Sequence, residues 1–233
     1  MKGTSLSFVN PASTTLVESE IAAIGHRMVR CTKDCIGAST WKNGTPSRCL
    51  FLERRDDDER GVVVVGLNPG RAPPDELRSY ASRADLYAAT VEYLGEKSKL
   101  IPYYERMRDA VGRMGFQRGS ILWTEVAKCE LLCGQVGVPI EMRRTCGTTY
   151  LTKELAACPQ WPIVAVGQQS FEAVSYLVPE RAVIGVPHPT GAWGKAFERA
   201  TGNKRSGFPP TSLAKMNEAL ALGSAVWLSS RQA

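Results

Sequence analysis

Apolar residues fall along this chain in two patterns. Some form short unbroken runs: GVVVVGL at 61–67, GSILWTEVAK at 119–128, WPIVAVG at 161–167 and RAVIGV at 181–186. Such runs suit strands covered on both faces. RCLFLERR at 48–55 is predicted to be a first strand, joined to the second by DDDER, a solvated charged turn. Other apolar residues recur at helical spacing. Leu16, Ile21, Ile24, Met28 and Val29 lie near one face of a predicted helix over 16–31. Residues 82–96, 102–114, 147–157 and 168–177 also read as helices. PPTSLAKMNEALAL at 209–222 closes the series, with proline at its start as helix N-termini prefer.

Strands alternating with helices predict an α/β fold: a three-layer sandwich with a central, mostly parallel sheet of four or five strands and helices on both faces. No repeat or long linker divides the chain, so a single domain over 1–233 is expected, with 1–15 loosely ordered. The 233 residues, 43% apolar, can bury a sizeable core. A net charge of +6 and a pI near 9.0 point towards an acidic partner such as nucleic acid. There is no apolar run of about 18 residues, the length a membrane span needs. The N-terminus lacks the apolar core of a signal peptide, so a cytoplasmic monomer is expected. Seven cysteines without an export signal argue against a disulfide scaffold and leave reduced thiols or metal ligands.

In sheets of this class ligands bind beyond the carboxyl ends of the strands. Three strand ends here carry unusual residues: GLNPG, WTEVAKC and VPHPT. GLNPG alone could be turn chemistry. His188, one of two histidines, is held between prolines on an extended backbone, which suits a positioned side chain. The other, His26, sits on a helix of mixed polarity and reads as solvated.

With GLNPG and PHPTG each ending a buried strand, the chain resembles the uracil-DNA glycosylase superfamily. GLNPG is similar to the first motif of its single-strand-selective monofunctional group and, more loosely, of its mismatch-specific group. PHPTG resembles the second motif, with Thr190 where serine is usual. MVRCTKDC, WTEVAKC, RRTC and VAVGQQSFEAV follow the order of the family 4 enzymes, which carry an iron–sulfur cluster. The resemblance runs from about Leu16 to Pro189.

The resemblance implies a monofunctional glycosylase that hydrolyses the N-glycosidic bond of uracil, or of another deaminated base, in DNA. Asn68 would orient the attacking water through its side-chain carbonyl, and His188 would donate to the base oxygen that gathers charge. Backbone donors around Gly66 and Leu67 would assist. A flipped base needs an aromatic floor; Tyr80 falls near the superfamily's stacking residue, with Tyr87 as a competitor. One position departs from family 4: Glu125 stands where an asparagine reads uracil. An ionised carboxylate only accepts hydrogen bonds. Glu125 is therefore protonated, or favours a base with two donors, or points elsewhere.

The resemblance also implies a structural 4Fe–4S cluster on Cys31, Cys35, Cys129 and Cys146, four thiolates being its ligand set. Three residues separate the first pair where the family has two, so Cys49 could replace one of them. Cys133 and Cys158 are left as ordinary thiols; zinc, or buried thiols alone, are the other readings. The segment GAWGKAFERATGNKR is expected to be a DNA-contacting loop. Lys195, Arg199, Lys204 and Arg205 would meet phosphates, with Trp193 and Phe197 interleaved and Ala192 or Trp193 as the wedge. Two readings compete with catalysis: a non-catalytic or covalent binder of uracil-containing DNA on the same scaffold, and an unrelated nucleotide-binding enzyme. The latter would need a glycine-rich phosphate loop, and the chain has none.

Overall fold

The computed structural model describes residues 14–39, 45–55, 57–81, 84–135 and 137–229. Its centre is one six-stranded sheet. In chain order the strands are β1 (Phe51–Glu53), β2 (Asp57–Gly66), β3 (Gly119–Glu125), β4 (Ile163–Val166), β5 (Val183–Val186) and β6 (Ala225–Trp227). Their spatial order is β1-β3-β2-β4-β5-β6. Only β1 is antiparallel to its neighbour; the other pairings are parallel. Nine α-helical segments surround the sheet among the described residues: α1 (Thr14–Met28), α2 (Pro74–Ala81), α3 (Leu86–Lys97), α4 (Pro102–Val111), α5 (Ile140–Cys146), α6 (Thr152–Ala157), α7 (Gln168–Leu177), α8 (Gly194–Thr201) and α9 (Pro210–Leu222). None is long and apolar enough to cross a membrane.

The alternation of side chains along a strand builds two cores from one valine run. Val63 and Val65 face one side, against α1, α3, α6 and α7 through Ile21, Tyr87, Leu155 and Val174. Val62 and Val64 face the other, against α4, α8 and α9 through Met107, Phe197 and Met216. All four valines are at most 1% exposed. The expected three-layer α/β sandwich is therefore what the chain forms.

Several elements differ from expectation. The sheet is wider by β6, a three-residue edge strand too short to announce itself, which begins just after α9 stops at Gly223 (φ +61°). The predicted first strand shortens to Phe51–Glu53. The backbone of 57–60, expected as a turn, belongs to β2: the register jumps from Asp57↔Gly119 to Gly61↔Ser120, so a bulge absorbs the extra residues. The helix expected over 82–96 is α3, which starts at Leu86, and α2 is a second helix that precedes it. Asp85 caps α3, its carboxylate accepting from the Ala88 N–H at 3.0 Å. The helix expected from 147 starts at Ile140, with wide turns at Gly147–Leu151 joining α5 to α6. The expectation for residues 1–15 falls mostly on residues outside those described.

Candidate functional site

The chain passes from β2 to β3 on one side and then to β4 on the other, so strand order reverses between β2 and β4. A crevice beyond the strand ends at such a reversal is where open α/β sheets take ligands. Asn68 lies two residues beyond β2 there. Its Nδ2 donates to the Pro69 carbonyl at 2.9 Å, which fixes the amide and leaves Oδ1 as an available acceptor. The loop it belongs to is pinned from below. Arg48, 2% exposed, joins Glu76 (Nε–Oε1 2.8 Å) and Glu130 (Nη2–Oε2 2.9 Å) and donates to the Gly70 carbonyl. Glu130 also accepts from the Ala72 N–H at 2.6 Å. The sequence reading passed over Arg48, Glu76 and Glu130; the one available signal was an arginine beginning an otherwise apolar strand.

His188 lies two residues beyond β5. Its Nδ1 stands 3.3 Å from the Thr190 N and 3.2 Å from Thr190 Oγ1. The Thr190 carbonyl is also near, at 3.4 Å. A backbone N–H can only donate, so Nδ1 accepts and the proton sits on Nε2. Burial lowers the pKa of His188 and keeps the ring neutral, although its outer edge is open. The backbone N–H of Thr190 thus sets the tautomer. Arg106 of α4 donates to the Pro189 carbonyl at 2.8 Å and anchors this loop.

Two further side chains stand near these strand ends, one beyond β2 on the side away from β5 and one beside His188. Glu125, the last residue of β3, is paired with Gly66 of β2, and its carboxyl fills the space a side chain at 66 would take. A Cβ there would stand 2.1 Å from Glu125 Oε2. Glu125 is 9% exposed, and Oε2 has no hydrogen-bond partner among the described residues. Burial pushes its pKa up to about 8, against weaker pulls from Lys128 and Arg48. Tyr103 of α4 is half-buried and sits beside His188, with ring centroids 5.4 Å apart. The charge of Glu125, if present, would also act on the Tyr103 hydroxyl, so this tyrosine stands near both groups. Sequence reasoning missed Tyr103, which sits in an ordinary-looking helix.

The aromatics expected as a floor are placed elsewhere. Tyr80 is 4% exposed and donates from its hydroxyl to Glu76, within the Arg48 network. Tyr87 packs under Gly25 and against His26. His26 is half-exposed near Asp85, 3.4 Å away.

Lys128 of WTEVAKC is a structural clamp. Fully buried, it joins Glu154 at 2.6 Å and donates to Thr124 Oγ1 at 2.5 Å and to the Glu125 carbonyl at 2.6 Å. That fixes the end of β3, and with it Glu125.

The fold gathers Cys31, Cys35, Cys129 and Cys146. The first pair, expected on a continuing helix, lies beyond the end of α1 at Met28. The loop after it pairs with 130–132, through Ser39 N–H to the Glu130 carbonyl (2.8 Å) and an Ala38–Leu131 bridge. This brings Cys35 to Cys129. Charge on Cys31, Cys35 or Cys146 would raise the Cys129 pKa, so the four sulfurs are within Coulombic reach of one another. Ser47 Oγ lies 3.1 Å from the Cys129 sulfur, and Cys146 accepts from the Lys128 backbone. Among the described residues no three His, Cys, Asp or Glu groups close around a single metal ion. Cys49 is not in this group. It stands with Tyr104 and Glu125 in the other core, its thiol pushed up to about 12 by burial. It is the one described non-glycine residue with positive φ, 66°. Cys158 is buried near Arg181, and Cys133 is exposed. Leu67 packs against the Cys129 core, so the thiol group underlies the far side of the Asn68 loop.

The segment after His188 is a short turn followed by α8, not a loop. Phe197 and Ala200 recur at helical spacing and are buried, which removes Phe197 from any exposed surface. Trp193 is 64% exposed, and Lys195 and Arg199 share the outer face of α8. A groove of about 400 Å³ beside α8 is lined by Arg106, Arg113, Lys204 and Arg205, with Asp109 and Glu198. It adjoins the His188 loop through Arg106, and its lining does not include Asn68, Glu125 or His188. No protein-family model matches the chain, and no curated protein does.

Proposed function

We propose that the protein is a monofunctional DNA glycosylase that releases uracil or another deaminated base. The observation that carries this reading is that Asn68, whose Oδ1 is left as an acceptor, and His188, with its proton on Nε2, both follow the carboxyl ends of parallel strands of one sheet, β2 and β5, with the reversal of strand order beside β2. An acceptor and a donor so placed match the two demands of N-glycosidic hydrolysis. Water must be held beneath a sugar that becomes cation-like. Negative charge on the departing base must be met by a fixed donor in a site sheltered from water. Asn68 is a weak base, but a cation-like sugar requires little deprotonation of its nucleophile. Neutral His188 donates without first losing a proton of its own.

The base would reach this crevice by leaving the helix stack. Tyr103 offers the aromatic face beside His188, and Trp193 stands exposed at the entrance. Lys195, Arg199 and the basic groove supply cations for the phosphate backbone. The residues Cys31, Cys35, Cys129 and Cys146 fit a four-thiolate cluster in number and neighbourhood, and backbone and hydroxyl groups already reach Cys146 and Cys129. When bound, such a cluster would tie the segment after α1 to the middle of the chain. Asn68, His188 and Glu125 carry the chemistry without it.

The direct test is incubation of purified protein with oligonucleotides bearing uracil, hypoxanthine or xanthine, without added metal or nucleotide, followed by alkali. Strand scission at the damaged position is the expected result. Tight binding with no base released from any of them would replace this reading with a non-catalytic or covalent DNA binder.

A further inference from the structure

Glu125 is a carboxyl in a place built for something that is not an anion. Its side chain crosses Gly66 so closely that no other residue at 66 would leave it room. Gly66 continues the alternation of Val62 and Val64, so the carboxyl lies on the sheet face that also carries Tyr104, and Tyr103 of the same helix lies against His188. The charged and titratable groups around it come from every neighbouring element; each is neutral or held by another acid, although Arg48 Nη1 is buried with no hydrogen-bond partner among the described residues. Lys128, from the loop after β3, gives its ammonium to Glu154 and Thr124 and touches only the Glu125 backbone carbonyl. Arg48, from the segment before β1, is held by Glu76 and Glu130. Cys49 is a protonated thiol, and burial holds the phenols of Tyr103 and Tyr104 in their neutral form. No cation donates to the carboxyl among the described residues, and Oε2 is buried without a partner. An isolated buried carboxylate is strongly disfavoured, and the usual relief is to bind a proton.

Building on the glycosylase reading, we propose that Glu125 works as a neutral carboxylic acid that reads the edge of the bound base, its O–H donating to a base carbonyl and its C=O accepting from the adjacent ring N–H. One donor beside one acceptor is the complement of an amide side chain. It matches the lactam edge that deamination creates in uracil (N3–H and O4) and in hypoxanthine (N1–H and O6), an edge that xanthine shares with guanine. A carboxylate would instead repel that oxygen and suit the paired N1–H and N2–H donors of guanine. The neutral acid therefore separates deaminated cytosine and adenine from their parent bases, which carry an amino group in place of the carbonyl. Recognition is lost as pH rises and the acid ionises, which for this buried carboxyl happens above neutrality, near pH 8.

The test uses the full chain and Glu125→Gln, whose amide keeps the donor and acceptor at all pH values. Single-turnover base release from single-stranded oligonucleotides carrying uracil, hypoxanthine, cytosine or adenine is followed from pH 6 to 10. The native rate on lactam bases should fall about tenfold per pH unit above the break, which is the slope of a single proton. The Gln variant should match it within a few fold at pH 7 and lack that break, while sharing any titration of the base itself. A native profile flat through pH 9, together with a Gln variant reduced more than about a hundredfold, would show a working carboxylate and overturn the proposal. An infrared difference spectrum gives an answer that needs no turnover. A protonated-carboxyl C=O band should be present at pH 7, titrate away in the alkaline range and be missing from Glu125→Gln; no such band refutes a neutral Glu125. If neither protein releases any base, the glycosylase reading falls. Fluorescence-anisotropy binding then decides: tighter binding of uracil than cytosine oligonucleotides, lost above pH 8 only in the native chain, supports the neutral reader, and equal binding rejects it.

Discussion

The carboxyl of Glu125 occupies the side-chain position of Gly66, two residues before Asn68: a Cβ on Gly66 would stand 2.1 Å from Oε2 and 2.8 Å from Oε1. Glycine at the end of β2 is thus required by a neighbour's side chain. Gly66→Ala must push aside the far end of one flexible side chain, so the protein should still fold, with a melting temperature lowered by no more than a few degrees. Base release should fall by at least tenfold. An active Gly66→Ala with unchanged base preference would separate Glu125 from the crevice.

His188→Ala should reduce turnover by roughly 10²–10³, the effect of one lost donor to a developing anion. The side chain is exposed and packs only against Tyr103 and its own loop, so thermal stability should hold. Wild-type turnover in this variant removes His188 from the mechanism. Thr190→Ala, which deletes the hydroxyl but keeps the N–H donor to Nδ1, should reduce the rate far less.

Ionisation of Glu125 also links to folding. Its folded pKa is raised from 4.5 to about 8. Between those values the unfolded chain has released the proton and the native chain still holds it. Stability is therefore complete below pH 4.5, declines by about 1.4 kcal/mol for each pH unit between the two values, and levels off above about 8, a loss of a few kcal/mol in all. Urea denaturation of the native chain and Glu125→Gln across this range should show a clearly steeper decline in the former, Glu76 contributing to both. Parallel curves would place Glu125 in contact with water.

The buried Lys128–Glu154 pair predicts an asymmetric response. Removing one partner strands the other, so Lys128→Ala or Glu154→Ala should destabilise by about 3–5 kcal/mol. Lys128→Met with Glu154→Leu should recover much of that in chemical denaturation, since the apolar pair leaves no charge buried. The double variant should still lose activity, because Lys128 holds the Glu125 carbonyl at 2.6 Å. No recovery of stability would mean that the pair does more than satisfy itself.

For the thiol group, protein prepared without oxygen should be brown, with broad visible absorption and bound iron. Cys129→Ser and Cys146→Ser should bleach it and lower thermal stability. Cys158→Ser and Cys49→Ser should keep the colour, because neither sulfur joins the four that influence one another. Colourless, iron-free protein from the same preparation would leave core thiols or, if zinc were found, a zinc site.

The order of strands and helices was legible in the chain because four apolar runs are too short for helices and too continuous for a one-sided sheet. The same runs ended in GLNPG, WTEVAKC and VPHPT, and chain direction in a parallel sheet sends those ends to one edge. Composition and spacing could say no more, since side-chain contacts between distant segments leave no periodic trace. Only tertiary packing placed Tyr103 beside His188 while burying Tyr80 and Tyr87, for all three sit on helices of similar pattern. Phe197 and Ala200 needed a sheet face to pack on before their segment became α8 rather than a loop. Cys49 and Cys129 were equivalent thiols in the sequence; the sheet separates them, because Cys49 packs with Trp123 on one face and Cys129 lies in the loop that pairs with 35–39. The protonation of Glu125 was an open alternative in the sequence. Packing favours the neutral acid, because it seats the carboxyl over Gly66 out of water and engages Lys128, and Arg48 through Nε and Nη2, with other acids.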